Sequence, residues 1–201
     1  MQRIIFQIVL LLLLAACASQ DIRQSKSHSV LLSENITFDL LAPDSFGKDL
    51  DLVQIAQIET DGNNFELLFY LEISKGVITI LAVLPNGTRI FSIVYDGVTI
   101  KSEGYSQIVE KLKPRYLLAD LQLSLWPIEV LKAKWLDHIE CYNKGMCEIL
   151  VSLKGTKRRL VDGEQDIITI NYSARLPEIG QLNYTHHQRN YTIKLETVEQ
   201  N

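Results

Sequence analysis

Residues Pro114 to Leu136 read PRYLLADLQLSLWPIEVLKAKWL and lie in the longest glycine-free stretch that follows Gly47. A helix through this stretch would carry Leu or Trp on almost every turn, with no clearly polar face. Pro114 suits the first position of a helix, and Pro127 predicts a break after Trp126. A short alternation of leucines leaves a strand open as an alternative, but length and the absence of turn residues favour helix. We therefore predict an apolar helical hairpin or kinked helix, held by the rest of the chain.

Short segments typical of strands lie on both sides of this stretch. Before it, apolar residues alternate with polar ones and turn residues separate the runs, which predicts strands over residues 52–60, 65–74, 77–84, 89–95 and 98–101. After it, similar signals predict strands over residues 138–142, 146–153, 158–161, 165–173, 181–187 and 191–198. The pattern predicts a mainly β (α+β) fold of about eleven antiparallel strands, in a curved sheet that holds a central apolar helical insert.

Two of these strands carry more specific expectations. In the first, Val53 and Ile55 alternate with Gln54 and Gln57, which places the aliphatic pair on the apolar face. The segment 77–84 is apolar at almost every position, which predicts a central strand with apolar material on both sides.

The N-terminus is typical of an export signal. A short basic start precedes an apolar run from Ile4 to Leu14, and small residues then precede Cys17. The sequence LAAC resembles the lipobox of bacterial lipoproteins, in which the cysteine is acylated and cleavage occurs before it. The alternative is an ordinary secretory signal with a chance cysteine. We predict a signal peptide over residues 1–16, a lipidated flexible tether over 17–30 and a single domain over 31–201.

The same resemblance also predicts the subcellular location of the protein. In lipoproteins an Asp after the acylated cysteine implies retention at the inner membrane, and this chain has Ala18 there. We therefore expect a lipid anchor in the outer membrane, with the domain facing the periplasm. The net charge of −4 and the absence of a basic stripe argue against nucleic acid as a partner.

The other two cysteines, Cys141 and Cys147, bracket a turn-like segment and would meet an oxidising compartment. They predict a disulfide that closes a short loop, stabilising the fold by about 2 kcal/mol. A zinc site is less favoured, because zinc pairs prefer shorter spacing and no second pair is present.

The exported protein should accordingly have no free thiol at Cys141 or Cys147. Thiol titration of the denatured protein, with and without prior reduction, measures this. Two titratable thiols before reduction would contradict the disulfide.

Residues suited to catalysis form no recognisable motif. There is no G-x-S-x-G nucleophile motif. His186 and His187 are neighbours in a predicted strand and would point to opposite faces, so we expect a surface pair and no shared metal. The basic residues between Lys154 and Arg159 are expected at a solvated hairpin tip. We therefore predict no catalytic residue, no metal site and no cofactor.

Asp120 and Gln122 are the polar residues of most interest, because they lie inside the apolar stretch. One interpretation is a buried carboxylate that is satisfied by backbone N–H groups or by Arg115. The other is a polar contact at the bottom of an apolar pocket. The candidate ligand-contact residues are Asp120, Leu121, Gln122, Leu125, Trp126 and Trp135.

Two segments, LPNGTRIFSIVYDG (84–97) and RYLLADLQLSLWP (115–127), resemble the uncharacterised periplasmic lipoproteins encoded within aryl polyene pigment gene clusters. The matching residues are Pro85, Gly87, Arg89, Phe91, Tyr95, Asp96, Gly97, Leu118, Ala119, Asp120, Gln122, Leu123, Trp126 and Pro127. The strand–helix–strand order is similar to that of the lipoprotein-localisation proteins of the LolA and LolB type. That resemblance implies a half-barrel that takes acyl chains between its sheet and its helices.

Three functions follow as hypotheses. The first is an outer-membrane lipoprotein that binds an apolar ligand, either lipoprotein acyl chains or an aryl polyene lipid, for transfer or insertion. A periplasmic lipoprotein carrier would be its partner, and a solid core with no cavity between helix and sheet would contradict it. The second is a non-enzymatic tethering module for pigment-biosynthesis or envelope proteins. The third is an acyltransferase or thioesterase, which would need a Ser or Cys beside a His; we expect no enzyme.

Overall fold

The computed structural model describes residues 28–60, 62–106, 113–135, 149–151, 157–174 and 180–200. Cys17, Cys141 and Cys147 therefore lie outside the described residues, as do the predicted signal peptide, most of the predicted tether and the predicted strand over 138–142. The backbone of Trp135 is described at the end of a helix, but its side chain is not.

The described chain begins with a small hairpin of two strands, β1 (Ser29–Leu31) and β2 (Thr37–Asp39), which pair antiparallel. Val30 and Phe38 are fully buried within the main core. The predicted tether extended to Val30, whereas Val30 is part of the folded domain, because apolar burial outweighs the polar composition of the residues before it. A short 3₁₀ helix (Pro43–Phe46) follows and packs its Phe46 into the same core.

Ten of the described strands form one antiparallel sheet. The first five make a meander in chain order: β3 (Leu50–Thr60), β4 (Asn63–Ser74), β5 (Val77–Val83), β6 (Arg89–Tyr95) and β7 (Ile100–Gly104). The predicted turns join them; Gly87 takes φ +84°, and the Asp96 carboxylate accepts hydrogen bonds from the N–H groups of Val98 and Thr99 at 2.9 and 2.6 Å.

The structure describes two α-helices between β7 and the next strand, α1 (Pro114–Leu125) and α2 (Ile128–Trp135). Trp126 between them is extended, with ψ 142°, because Pro127 excludes the helical conformation from the residue before it. The predicted helices and the predicted break after Trp126 are therefore confirmed. Among the described residues, no helix is long and apolar enough to cross a membrane.

The remaining five strands return along the chain as a second meander: β8 (Ile149–Val151), β9 (Lys157–Asp162), β10 (Gln165–Tyr172), β11 (Gln181–His186) and β12 (Tyr191–Gln200). The last strand, β12, pairs with β3, so the spatial order is β7-β6-β5-β4-β3-β12-β11-β10-β9-β8. β7 and β8 stand at opposite edges, and the sheet does not close into a barrel within the described residues. The mainly β, antiparallel prediction is confirmed.

The face of the sheet that packs against α1 is called the inner face here. It carries an apolar set that shares one core cluster with the helices: Leu52, Leu67, Leu71, Ile73, Ile78, Ile80, Ile93, Ile168, Ile170 and Leu182. This is the core of the domain, and α1 contributes Leu118, Ala119, Leu123 and Leu125 to it.

The predicted facing of β3 is wrong. Gln54 lies buried on the inner face, while Val53 and Ile55 are only half-buried on the outer one. Gln54 is accommodated because its amide donates to the Thr197 hydroxyl on β12 at 3.1 Å, beside a bulge in that strand.

The prediction that β5 is packed on both sides is also wrong. Ile78, Ile80 and Ala82 are buried on the inner face, whereas Val77 and Leu81 are only half-buried on the other. The described helices lie against one side of the sheet, so the outer aliphatic residues have no layer above them in this part of the chain.

Candidate functional site

The C-terminal end of α1 is bound by the sheet. The last carbonyls of a helix lack partners within it. Here the Arg158 guanidinium of β9 donates to the Leu123 carbonyl at 2.7 Å, and the Tyr172 hydroxyl of β10 donates to the Ser124 carbonyl at 2.9 Å. Arg158 was predicted at a solvated hairpin tip; it instead reaches the helix, and its guanidinium lies 5.3 Å from the centre of the Tyr172 ring.

Gln122 holds the middle of α1 to the segment after β2. Its side chain is fully buried. Its Oε1 accepts from the Leu41 N–H and its Nε2 donates to the Leu41 carbonyl, both at 2.8 Å. The amide thus pairs with the backbone as a neighbouring strand would, which fixes the helix against this segment.

The apolar candidates of α1 are packed rather than exposed in a pocket. Trp126 is fully buried; its indole N–H donates to the Ser45 hydroxyl at 2.8 Å, and its ring centre lies 5.0 Å from that of Phe46. Leu125 is buried and Leu121 is half-buried at the margin of the core. These residues join the helix to the 3₁₀ segment and to the sheet.

Asp120 points at the inner face near one end of β11 and β12. The Tyr184 hydroxyl donates to its Oδ1 at 2.5 Å, and the Tyr191 hydroxyl donates to its Oδ2. Arg115, one of the two kinds of partner that the sequence predicted, is exposed, and its guanidinium lies 5.8 Å from the centre of the Tyr116 ring. Each carboxylate oxygen is therefore held by a tyrosine from a different strand.

Burial dominates the electrostatics of Asp120. Loss of hydration raises the pKa of its carboxyl to about 6, against the opposing effects of the two tyrosine hydrogen bonds and of the nearby Arg189. The same burial, together with the neighbouring carboxylate, raises the pKa of Tyr184 well above its usual value. The tyrosines thus remain protonated donors at any physiological pH.

His186 lies two residues beyond Tyr184 and on the same face. It is fully buried, its ring centre is 5.5 Å from that of Tyr191, and neither ring nitrogen has a hydrogen-bond partner among the described residues. Burial lowers its pKa to about 3, with further lowering by the electrostatic effects of the neighbouring Arg189 and His187. The prediction of a surface pair is wrong for His186, whereas His187 is exposed and contacts the Thr169 hydroxyl at 3.0 Å.

Arg189 completes this end of the inner face. Its guanidinium stacks 3.8 Å from the centre of the Tyr116 ring at the start of α1 and donates to the Leu31 carbonyl of β1. We refer to Asp120, Tyr184, His186, Arg189 and Tyr191 as the Asp120 cluster. Among the described residues, no group of three or more His, Cys, Asp or Glu side chains is placed to hold a metal ion.

Residues 51–199 match the family described as protein of unknown function, DUF3261. The chain belongs to this family. The match spans α1, α2 and the ten strands of the large sheet apart from the first residue of β3 and the last of β12, so the sheet, the helices and the Asp120 cluster are all within the DUF3261 region. No curated protein matches the chain.

The space between sheet and helices in this DUF3261 chain is small. A cavity of about 20 Å³ lies between the helices and strands β9 and β10, lined by Leu123, Leu131, Arg158, Arg159, Leu160, Ile168 and Ile170. That volume suits about one water molecule, whereas pockets for small ligands measure about 300–1,000 Å³. An acyl chain can enter there only if α1 and α2 move.

Sequence reasoning on this DUF3261 chain found Asp120 but not its partners. Tyr184 and Tyr191 lie 64 and 71 residues away along the chain. The only signal in the sequence is that both tyrosines occupy inward-facing positions of two paired strands. This can be recognised only once β11 and β12 are aligned with each other.

Proposed function

We propose that this protein is a lipoprotein anchored in the outer membrane through Cys17, which binds an apolar ligand between its half-barrel and its helices. The ligand would be lipoprotein acyl chains or an aryl polyene lipid, received from a periplasmic carrier and passed to the membrane. A LolA/LolB-like mode of binding is part of this proposal. The observation that supports it best is an apolar helix, α1, that covers the apolar inner face of an open sheet.

Replacing the buried leucines of α1 by a bound acyl chain on the inner face of the sheet is energetically reasonable. Leu118, Leu123 and Leu125 of α1 are buried against the core, and an alkyl chain offers the same kind of surface. Each buried CH₂ contributes about 0.8 kcal/mol, so a long acyl chain would recover roughly what exposing several leucines costs. Binding would therefore require displacement of α1 rather than a preformed cavity.

The contacts that hold α1 are suited to release. The helix is fixed by a few polar contacts, those of Gln122 and Asp120 among them, and Pro127 breaks the chain at its C-terminal end. A neutral contact such as those of Gln122 contributes about 1 kcal/mol, and one to a carboxylate such as Asp120 about 1.5–3 kcal/mol, so these contacts set the position of α1 and a ligand has to replace them. In this proposal α1 serves as the lid of the binding site.

A non-enzymatic tethering module is the second candidate function. The small size of the cavity beneath α1 favours it, because a module that only binds other proteins needs no internal space. The two candidate functions predict different effects of loosening α1 on the binding of an apolar ligand.

Native mass spectrometry of the mature chain from Ala18, exported behind an ordinary secretory signal and incubated with lipid extract, tests the proposal. We expect one bound apolar molecule per protein, and a several-fold larger bound fraction for Gln122→Leu, which removes both bonds to Leu41. The matched control is Gln57→Leu, the same change at an exposed site on the outer face. A ligand-free mass for the wild type and for Gln122→Leu would favour the tethering module.

A further inference from the structure

The two tyrosine hydroxyls of the Asp120 cluster form a two-point donor for a single carboxylate. Tyr184 and Tyr191 donate to different oxygens of the same group, and their side chains come from adjacent antiparallel strands. Their ring centres are 5.9 Å apart and nearly parallel, with an interplanar angle of 16°. The acceptor is supplied not by the sheet but by α1, the element that the proposed function requires to move.

The surroundings of this donor pair carry further groups that favour an anion. Arg189 brings a positive charge close enough to act on Asp120. His186 is fully buried on the same face of β11, and its two ring nitrogens have no hydrogen-bond partner in the described part of the chain. A neutral imidazole has one donor and one acceptor, and leaving both buried without partners is unfavourable. This end of the inner face is therefore richer in donors than Asp120 alone requires.

An apolar path leads away from this polar end. Leu182 lies two residues before Tyr184 on the same face of β11, and Ile168 and Ile170 pair across from β11 on β10. All are buried against the helices. A polar end joined to an apolar face is the arrangement that an amphipathic molecule with one acidic end would require.

We propose that Tyr184, Tyr191, His186 and Arg189 form the head-group site for a long-chain carboxylic acid, and that Asp120 occupies this site as an internal substitute while α1 covers the sheet. This inference rests on the proposed function and adds the chemical class of the ligand. When α1 moves away, Asp120 leaves with it, and the ligand carboxylate accepts the tyrosine hydrogen bonds in its place. An alcohol or an ester has no anionic oxygen and gains less from the paired donors.

The test compares binding of cis-parinarate, a fluorescent polyene fatty acid, with binding of its methyl ester at pH 7.4, using the full mature chain. Because Asp120→Ala also removes contacts that hold α1, it should raise affinity for both probes, but we expect the gain for the acid to exceed the gain for the ester at least tenfold. Adding Tyr184→Phe and Tyr191→Phe should abolish this excess for the acid and leave acid and ester with equal gains. Asp120→Asn, which keeps the shape of the side chain, provides the same comparison if the alanine variant does not fold.

Gln122→Leu is the matched control, because it loosens α1 at a site that does not touch the cluster. It should raise affinity for acid and ester by the same factor. Equal gains for the two probes in Asp120→Ala would overturn the head-group site while supporting the helix as a lid. If no variant, Gln122→Leu included, binds either probe, the proposed function fails as well.

Discussion

Replacing Cys17 with serine, together with Leu14→Ala to supply an ordinary A-x-A cleavage site, should move nearly all of the protein from the membrane fraction to the soluble periplasmic fraction. The proposed anchor consists of acyl chains that each contribute about 0.8 kcal/mol per buried CH₂, so their loss removes membrane affinity almost completely. Membrane fractionation followed by immunoblotting measures the distribution.

Cys141→Ser is the control for this experiment, since it makes the same chemical change at a cysteine outside the predicted lipobox. It should leave the protein in the membrane fraction. If the Leu14→Ala/Cys17→Ser variant sediments with membranes as the wild type does, then lipidation of Cys17 is not what holds the protein there.

The second large effect is on the pH dependence of stability, because burial shifts the pKa values of two groups in the Asp120 cluster in opposite directions. The pKa of Asp120 is raised from 3.8 to about 6, so between these values the folded state binds one more proton than the unfolded state, and stability rises as pH falls. The pKa of His186 is lowered from 6.5 to about 3, so over that range the unfolded state binds the extra proton, and stability falls as pH falls. Between about pH 6 and pH 4 the two contributions nearly cancel.

Asp120→Asn should remove this compensation. Relative to wild type, its free energy of unfolding should fall by about 1.4 kcal/mol per pH unit as pH is lowered from 6 to 4, since one proton per unit pH corresponds to that slope. For His186→Phe, the free energy of unfolding relative to wild type should instead rise as pH is lowered from 6 to 4, because only the contribution of Asp120 then remains. The groups that face this pair are Arg189, His187, Tyr184 and Tyr191, and all are retained in both variants.

Urea unfolding at pH 6, 5 and 4 measures these slopes. The double variant Asp120→Asn/His186→Phe should return to the wild-type pH dependence, although at a different absolute stability. Identical slopes for wild type and both single variants would show that neither group changes its protonation on unfolding in this range.

Much of the sheet was predictable because its signals are local. The turns at Gly87 and Gly97, and the alternation that buries Leu67, Leu71 and Ile73, depend only on residues next to each other in the chain. The kink at Pro127 follows from one residue's covalent geometry. The facing of β3 was not predictable in this way, since Gln54 is buried by virtue of a bond to Thr197 on a strand far along the chain.

The residues of the candidate site were likewise predictable only where their signals are local. Asp120 stood out as a carboxylate within an apolar helix, a property of its immediate neighbours. Tyr184 and Tyr191 reach it only through the pairing of β11 with β12 and the packing of α1 on both, and neither relation has a local signature. The leucines of α1 that would line an apolar groove are the same ones that pack into the core.

The pairing of β3 with β12 has a consequence for how the protein is made. The chain's two meanders each fold from neighbouring strands, but the seam between them requires the strand at its far C-terminal end, Tyr191–Gln200. A chain that is synthesised N-terminus first would therefore present the long edge of β3 unpaired until β12 has been made. During that interval the unpaired edge is open to intermolecular strand pairing.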